Sequence, residues 1–588
     1  VANTAIQDIM VYQMLSHTLA YYVDEPSFSR RFSLKLFFIS ERMRRAAFEG
    51  KIDYLPMYLS QIPKMFAGRR IPLDIAMIQV SPPDQFGYCS LGVSVDITRS
   101  AMENAQMVIA QVNPHMPRTW GDSLVHLSNI DFFVPHEEPL VTYSTKVRDN
   151  LVISRIGHFI SQLIRDGDTL QVGFGMLPNA VLQYLQDKKD LGIHTQLITD
   201  AMLPLFEQGV ISNRLKTLLP RRVVASLCMG SEKLYRFVND NPLFDFRSSE
   251  FVSDPLVIAR NDNLVSISSA LEVDLTGQVC SDSLGYRFYS GIGDQVDFIR
   301  GAAMSKGGFT IVALPSTAKG ETVSRIVSHL SEGAGIATTR GDINFVVTEY
   351  GYAELQGKGI YQRVMELAQI AHPKFRAQLI NDAKKHHYIF ADQLPPLEED
   401  LIYLEKYDWR VDLKNGRTAF IRPLYPADEF DYRTFFYSLK EETIYRRFFY
   451  KIRLFSHELA QQQWSEVDYH DTMSLIGRVQ TEGHYEIMAI GSYSRDKDDY
   501  AEVAFVVHDD FHGLGIAGHM LGYLETIARE NNFIGFVATV MQGNEAMLRV
   551  FEKHYPHMLR ETLPGGEILV TMPFQLSGIP HNQLGDQT

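Results

Sequence analysis

The chain has 588 residues, of which 45% are hydrophobic and 21% charged, and its formal net charge is −14. This length suits about three or four domains with sizeable cores. The acidic balance argues against nucleic acid or an anionic membrane as a partner. The three cysteines, Cys89, Cys228 and Cys280, lie far apart, so we expect neither a disulfide framework nor a metal site. No apolar run has the length of a membrane span and no secretory signal is visible, which predicts a cytoplasmic protein.

The first 390 residues alternate short apolar strands with helical stretches, a pattern typical of α/β domains with mostly parallel sheets. We predict one α/β domain over residues 1–145 and a second over residues 146–390. Apolar runs predict strands at residues 71–80, 107–112, 170–172, 309–314 and 345–347. Helices are predicted at residues 179–186 and 363–370.

The last third of the chain is set apart by a stretch rich in proline and acidic residues at 393–400, which predicts a linker over residues 391–415. A third α/β domain is predicted over residues 416–575, with a loose tail over residues 576–588. Residues 420–424 open this domain. Strands are predicted at 502–507 and 536–540, and helices at 516–530 and 544–553.

Three glycine- or hydroxyl-rich loops follow predicted strands of the second domain. Gly173 and Gly175 stand where a strand meets a helix, and such glycines let a backbone approach a ligand. Gly293 and Asp294 lie in a loop whose N–H groups could stabilise an oxyanion. The third loop, residues 314–320, carries Ser316 and Lys319 and suits a phosphate, with Arg325 following. For the first loop, the competing interpretation is a tight turn without a ligand. For the second it is that Asp294 points to solvent, and for the third it is a solvated loop.

These loops, together with the segment Gly192-Ile193-His194-Thr195-Gln196-Leu197-Ile198-Thr199-Asp200, resemble the acetyl-CoA hydrolase/transferase family. Further matches at residues 80–84, 90–96, 113–119, 347–351 and 370–376 keep the family's order across most of residues 50–390. The resemblance implies two CoA-transferase-type α/β domains. It also implies that an earlier strand and helix of the first domain are missing before Val1.

The resemblance places a catalytic glutamate at the position of Gln196 and a glycine at the position of Asp294. In the family that glutamate becomes a glutamyl-CoA thioester, which a small carboxylate or water then resolves. An amide is a far poorer nucleophile than a carboxylate. We therefore expect acyl-CoA binding with little CoA transfer, and the sequence leaves open whether Gln196 is native or was introduced. Glu349 is a spare carboxylate, and His194 either lines the same site or is a packed core histidine.

The third domain resembles the GNAT acetyltransferases. A strand runs into His512-Gly513-Leu514-Gly515-Ile516-Ala517 and then a helix, and this arrangement forms a diphosphate cradle for acetyl-CoA. The resemblance implies CoA contacts at His512, Gly513, Gly515, Ala517 and Asn544. His512 replaces the usual glutamine or arginine.

The acid and base of the GNAT reaction are less clear from the sequence. The tyrosine that many members use to protonate the thiolate is Phe551 here, with Tyr555 as a nearby substitute. Glu502 is a candidate general base, and an exposed strand carboxylate is the alternative.

Two functions follow from these patterns. The first is a CoA-transferase or acetyl-CoA hydrolase with an acetyltransferase module, acting on acyl-CoA, a small carboxylate and an amine such as a protein lysine. The second is a catalytically degenerate acyl-CoA sensor whose GNAT module acetylates protein lysines or only binds acetyl-CoA. CoA is a substrate in both, no metal is expected, and the family suggests a homo-oligomer.

Overall fold

The computed structural model describes residues 8–15, 23, 25, 31–143, 150–395, 405–448, 455–465, 469–481 and 484–574. The chain divides into two compact units, Val1–Ile389 and Phe390–Thr588. Residues 396–404 of the predicted linker and the predicted tail at 576–588 lie outside the described residues.

The first unit contains 25 of the strands within the described residues, most of them short. They are β1 (Ile9–Gln13), β2 (Phe32–Leu36), β3 (Asp53–Tyr54), β4 (Leu73–Val80), β5 (Tyr88–Ser90), β6 (Ala105–Val112), β7 (Leu124–His126), β8 (Phe132–Pro135), β9 (Thr169–Val172), β10 (Gly192–Ile193), β11 (Leu197–Ile198), β12 (Val223–Ala225), β13 (Leu227–Cys228), β14 (Phe244–Phe246), β15 (Leu264–Ser269), β16 (Glu272–Asp274), β17 (Val279–Cys280), β18 (Ser283–Leu284), β19 (Arg287–Phe288), β20 (Phe309–Ala313), β21 (Thr317–Ala318), β22 (Val323–Ser324), β23 (Ile326–Val327), β24 (Phe345–Thr348) and β25 (Gly351–Glu354).

Its α-helices within the described residues lie between these strands and after them. They are α1 (Arg44–Phe48), α2 (Ile62–Ala67), α3 (Thr98–Asn104), α4 (Leu151–Leu163), α5 (Met176–Val181), α6 (Leu203–Glu207), α7 (Glu232–Val238), α8 (Ser249–Val252), α9 (Pro255–Ile258), α10 (Gln295–Met304), α11 (Ile360–Ile370) and α12 (Pro373–Lys385).

A six-stranded sheet in the order β10-β9-β15-β20-β24-β25 organises the first unit. Its strands pair in parallel, except that β25 runs antiparallel to β24. The side chains of β15 are buried almost without interruption, as expected for a strand covered on both faces. Parallel pairing brings the carboxyl ends of β9, β15, β20 and β24 to one edge, where a ligand site is typical of α/β sheets.

One hydrophobic core joins the two predicted domains of this unit, because it contains residues from Ala76 in β4 to Val347 in β24. The helix α4 shows how the sequence directs this packing. Asn150 caps its first turn by accepting a hydrogen bond from the Val152 N–H. Its buried residues Ile156, Ile160 and Leu163 recur at helical spacing and face that core.

The second unit is built on one large sheet and has its own core. Its strands are β26 (Trp409–Asp412), β27 (Thr418–Pro423), β28 (Thr472–Thr481), β29 (His484–Arg495), β30 (Tyr500–Val507), β31 (Gly535–Met541), β32 (Leu559–Thr562) and β33 (Glu567–Pro573). Its α-helices within the described residues are α13 (Glu429–Ser438), α14 (Glu441–Phe448), α15 (His457–Ser465), α16 (Ile516–Glu530) and α17 (Glu545–His554).

The strand order in this sheet is β26-β27-β28-β29-β30-β31-β33-β32, and only β30 and β31 pair in parallel. A parallel pair needs a crossover, which α16 provides. The pairing between β30 and β31 covers only Tyr500–Glu502 against Gly535–Val537. The remaining residues of β30 therefore lack that partner strand, and an opening forms beside them.

The elements predicted from the sequence are confirmed, with small differences at their ends. The helix predicted at 516–530 has those bounds in the structure, and the helix predicted at 544–553 begins one residue later with Asn544 as its cap. The helix predicted at 179–186 instead begins at Met176 and becomes a 3-10 turn at Leu182–Tyr184. Pro178 occupies the third position of this helix, where it removes no intrahelical hydrogen bond.

Candidate active sites

The backbone geometry just after β9 favours glycine at two positions, Gly173 and Gly175. A Cβ at Gly173 would lie 3.0 Å from the carbonyl oxygen of Ile267 in the neighbouring strand. Gly175 has a φ of +130°, which residues with a side chain rarely adopt, and it precedes α5. Both glycines are only half-buried. Close packing at Gly173 and the positive φ at Gly175 explain these glycines without a ligand, so their CoA contact stays a prediction.

The side chains of Gln196 and Asp294 meet in the first unit. With the Gln196 amide nitrogen facing the carboxylate, it lies 3.1 Å from Oδ1 and 3.0 Å from Oδ2 of Asp294. Both residues are half-buried. The competing interpretation of a solvent-facing Asp294 is therefore wrong, because its carboxylate is within hydrogen-bond distance of Gln196. A carboxylate is thus present beside position 196, although residue 196 does not supply it.

Asp294 precedes α10 but does not cap it. Aspartate is among the preferred N-cap residues, yet the Asp294 side chain makes no capping hydrogen bond. The carboxylate faces Gln196 instead. The partial positive charge at the N-terminus of α10 is carried by the backbone N–H groups of the first helical turn. Burial raises the pKa of Asp294 to about 6. At neutral pH this carboxyl group is therefore still mostly ionised, and it is more basic than an ordinary aspartate.

Hydrogen bonds hold the loop that carries Asp294. Gln295 Nε2 donates to Ser268 Oγ at 3.1 Å, which ties the start of α10 to the end of β15. The Gly293 carbonyl accepts from the Leu59 N–H at 2.9 Å, and Gly293 itself has a φ of +59°. The Ile292 N–H donates to the Tyr54 hydroxyl at 3.0 Å, so this amide is already used and is not a free oxyanion donor.

A second carboxylate, Asp297, lies on the first turn of α10. Its oxygens accept from the Ser60 hydroxyl at 3.0 Å and from the Ser60 N–H at 3.2 Å. Burial raises the pKa of Asp297 to about 7, and the negative charge of nearby Asp294 adds to the shift. Asp297 is more deeply buried than Asp294, and Ser60 occupies both of its oxygens. It therefore acts as an anchor between α10 and the residues around Ser60.

The loop after β20 has a different arrangement from the predicted phosphate contact. Ser316 is fully buried, and its hydroxyl and N–H donate to the two oxygens of Glu349 at 2.6 and 2.8 Å. This pairing gives no support to Ser316 as a direct CoA contact, and it occupies the carboxylate of Glu349 as well. Lys319 is exposed and remains a candidate. Arg325 is half-buried, and burial lowers the pKa of its guanidinium.

His194 is a core histidine and does not line the site. It is fully buried, its Nε2 lies 2.9 Å from the Val252 carbonyl, and its Nδ1 lies 3.2 Å from the Asn261 amide. Burial lowers the pKa of His194 to about 3, so the ring is neutral at physiological pH. The packed alternative for His194 is confirmed.

A cleft of about 840 Å³ opens in the second unit. It is lined by Phe505–Val507 of β30, by the turn His512–Gly515, by the start of α16 and by α17. Gly513 and Gly515 have φ values of +78° and +92°, so the turn depends on glycine at both positions. The sequence-predicted contacts His512, Gly513, Gly515, Ala517 and Asn544 all lie in this lining.

The cleft has a cationic rim that suits a multiply phosphorylated ligand. Basic side chains outnumber the one acidic residue, Asp412, in the lining. Phosphate groups favour such a concentration of positive charge. The basic residues are Lys414, Arg446, Arg447, Arg549 and Lys553, together with His512, His519 and His554.

His512 and Asn544 are oriented by their own local bonds. The Nε2 of His512 donates to the Val507 carbonyl at 2.9 Å, so only Nδ1 is left for a ligand. Nδ1 can donate to a phosphate only when the ring is protonated. The Asn544 oxygen accepts from the Met547 N–H at 3.3 Å and caps α17, which leaves its amide N–H groups for a ligand.

The predicted acid and base of the GNAT reaction are not gathered in this cleft. Phe551 is buried against Phe505 and has no proton to give. Tyr555 is also buried, and its hydroxyl donates to Glu525 at 2.7 Å. Burial raises the pKa of Tyr555 strongly. Glu502 is exposed on β30 and is not among the lining residues, so the alternative of a strand-surface carboxylate fits it better.

Within the described residues, no group of three or more His, Cys, Asp or Glu side chains could hold a metal ion. No helix in this part of the chain is both long and apolar enough to cross a membrane.

The fold of the first unit is that of the acetyl-CoA hydrolase/transferase domains, and the second unit carries a GNAT acetyltransferase domain. The model of the acetyl-CoA hydrolase/transferase N-terminal domain matches residues 3–143, and that of the C-terminal domain matches residues 230–383. The acetyltransferase (GNAT) family model matches residues 439–555. The chain belongs to the acetyl-CoA hydrolase/transferase family and carries a C-terminal GNAT domain. Gln196 lies between the first two matched segments, and Asp294 lies inside the second.

Similar proteins support this assignment. The chain is 49% identical to 4-hydroxybutyrate coenzyme A transferase of Clostridium kluyveri over 357 residues, which cover 60% of this chain and 83% of the relative. It is 44% identical to succinyl-CoA:acetate/propanoyl-CoA:succinate CoA transferase of Fasciola hepatica over 345 residues, covering 58% and 72% of the two chains. The structure of RipA from Yersinia pestis matches with a TM-score of 0.61 and 36% identity, covering 65% and 88% of the two chains.

Proposed function

We propose that the first unit binds an acyl-CoA and transfers its CoA to a small carboxylic acid, with water as a slower acceptor. The observation that carries this proposal is the carboxylate of Asp294, which lies 3.0 Å from the residue predicted at the family's glutamate position. CoA transfer between carboxylates needs one enzyme carboxylate, and the site holds one. The names of the similar proteins describe CoA transfer among short carboxylic acids, which suggests acetate and 4-hydroxybutyrate as acceptors.

An enzyme assay combined with a binding measurement tests this proposal. The full chain is mixed with butyryl-CoA and acetate, and acetyl-CoA formation is followed by liquid chromatography. Calorimetry measures acyl-CoA binding in parallel. Steady acetyl-CoA formation supports the proposal. Tight binding without any turnover contradicts it and favours the second candidate, an acyl-CoA sensor, which the neutral amide of Gln196 supports.

For the second unit we propose transfer of an acetyl group from acetyl-CoA to an amine, with protein lysines as the leading acceptor class. The glycine turn and the basic rim of the cleft support acetyl-CoA as the ligand. Mass spectrometry of lysine acetylation on candidate proteins, with and without the chain, tests this. Acetyl-CoA binding with no acetylated product would leave the module as a sensor.

A further inference from the structure

We infer that Asp294 is the nucleophile of the first unit, in place of the glutamate that the family resemblance predicts at position 196. The inference rests on the proposed function, CoA transfer by this unit, and names the group that performs it. The amide nitrogen of Gln196 and both carboxylate oxygens of Asp294 are one hydrogen-bond length apart. A glutamate at position 196 would carry its carboxylate where that amide now lies. The reacting group therefore lies one hydrogen-bond length away and belongs to the loop before α10.

Three features of Asp294 agree with a reacting group. It is half-buried, so the surrounding protein excludes much of the water while part of the side chain remains reachable. It stands at the N-cap position of α10 without using its carboxylate as a cap, although capping would stabilise the helix. Gln295, the next residue, is tied to the carboxyl edge of the sheet through Ser268, which fixes the carboxylate at the place where α/β sheets bind ligands.

The other carboxylates nearby are less suitable. Glu349 is almost fully buried and accepts two hydrogen bonds from Ser316. Asp297 is likewise buried and accepts two from Ser60. Both carboxylates are thus committed to hydrogen bonds inside the protein, with both oxygens of each facing a serine. Asp294 is only half-buried, and its carboxylate faces the amide of Gln196.

The reaction balances without any further reagent. An Asp294 oxygen attacks the acyl-CoA carbonyl carbon, the C–S bond breaks, and an acyl-aspartyl anhydride and CoA thiolate form. The thiolate then attacks the aspartyl carbonyl, which forms an aspartyl-CoA thioester and releases the first carboxylate. The acceptor carboxylate attacks this thioester and expels the thiolate. The thiolate attacks the acceptor's carbonyl, which forms the new acyl-CoA and regenerates Asp294.

Trapping of the thioester locates the nucleophile. The full chain is incubated with butyryl-CoA, treated with borohydride, which reduces a thioester to an alcohol, and digested with trypsin. Asp294 lies in the peptide of residues 288–300, whereas Gln196 lies in residues 190–214 and Glu349 in residues 341–358. We expect the reduced side chain at Asp294. A reduced side chain on any other residue, or turnover without a trapped adduct, overturns the inference while leaving the proposed function in place.

Matched variants test the same point by rate. Asp294→Asn keeps the shape of the side chain, and Asp294→Gly leaves only Gln196; both are expected to lose activity by about 10³-fold or more. The double change Gln196→Glu with Asp294→Gly moves the carboxylate back to position 196 and is expected to restore turnover. Glu349→Gln is expected to keep the adduct on Asp294. Full turnover in Asp294→Gly would overturn the inference, and so would loss of the Asp294 adduct in Glu349→Gln.

Absence of turnover in the unaltered chain, with acyl-CoA still bound, is a distinct outcome. It contradicts the proposed function as well as the inference. If the double variant is then active, the scaffold is competent and Asp294 is not an effective nucleophile.

Discussion

Asp294 is a carboxylate whose protonation is governed by burial. Burial raises its pKa to about 6, above the ordinary value of 3.8 for an aspartate. The ionised form is the one that can attack a thioester, so the active fraction increases as the pH rises through this value. The neighbour Gln196 carries no charge and cannot repel the carboxylate, whereas a glutamate there would force one of the two groups to hold a proton.

The pH dependence of CoA transfer should report this carboxyl group. We expect kcat/KM for butyryl-CoA to rise about tenfold per pH unit below pH 6 and to level off above it. In Gln196→Glu, two carboxylates share the site, and the rise should shift to higher pH because like charges disfavour ionisation. A profile that is flat between pH 5 and 8 in the unaltered chain would contradict this assignment.

The sequence could not predict the contact between Gln196 and Asp294. Each residue was visible as a departure from a family pattern, but the two belong to segments that are far apart in the chain. Their meeting depends on how the loop before α10 is anchored by Ser268, Leu59 and Tyr54. The expectation of little turnover treated Gln196 and Asp294 as two separate departures from the family pattern. The signal that could have found the pair is that the family resemblance predicts a carboxylate at position 196, where there is none, and a glycine at position 294, where there is a carboxylate.

At the scale of elements, the GNAT turn and its helix could be predicted almost completely from the sequence. Apolar residues at helical spacing and the glycines before Ile516 gave α16 its correct bounds. The opening between β30 and β31 could not be predicted, because it depends on where their pairing stops. For the same reason, the sequence could not predict that Glu502 lies outside the cleft lining or that the Tyr555 hydroxyl donates to Glu525.

The glycine turn offers a test with a matched control. Gly515 has a φ of +92°, so Gly515→Ala should cost about 1–2 kcal/mol in the second unit through backbone strain. Because the turn must shift to relieve this strain, we expect acetyl-CoA affinity to fall about tenfold in calorimetry. Gly522→Ala is the control: it lies within α16, a Cβ there meets nothing within 4 Å, and it should leave affinity unchanged. Equal affinities for both variants would contradict a ligand role for the turn.

At the scale of the whole molecule, the two units have separate cores and should respond separately to core damage. In the second unit, Arg422 contacts buried Asp428 through two nitrogens, at 2.7 and 2.8 Å. Asp428→Asn removes a charge partner of this guanidinium and should destabilise the second unit by about 3 kcal/mol. Scanning calorimetry of the full chain should show one transition lowered and the other unchanged.

A surface ion pair provides the comparison for that experiment. Asp471 contacts Arg495 at 2.8 Å, and both side chains are substantially exposed. Asp471→Asn should change the stability by about 0.5 kcal/mol or less, because water screens such pairs. If Asp428→Asn lowered both transitions equally, the two units would not unfold independently.

The most direct test of covalent CoA transfer through Asp294 follows an oxygen atom. The full chain is turned over with butyryl-CoA and acetate labelled with ¹⁸O in both oxygens, then digested and analysed by mass spectrometry. Each cycle removes one oxygen from the enzyme carboxylate with the leaving acid and replaces it with one acceptor oxygen. The peptide of residues 288–300 should therefore gain about 2 Da after one cycle and about 4 Da after many, located at Asp294, and the gain should be absent in Asp294→Asn. Turnover that leaves this peptide unlabelled, or that labels the peptide containing Glu349, would contradict the account.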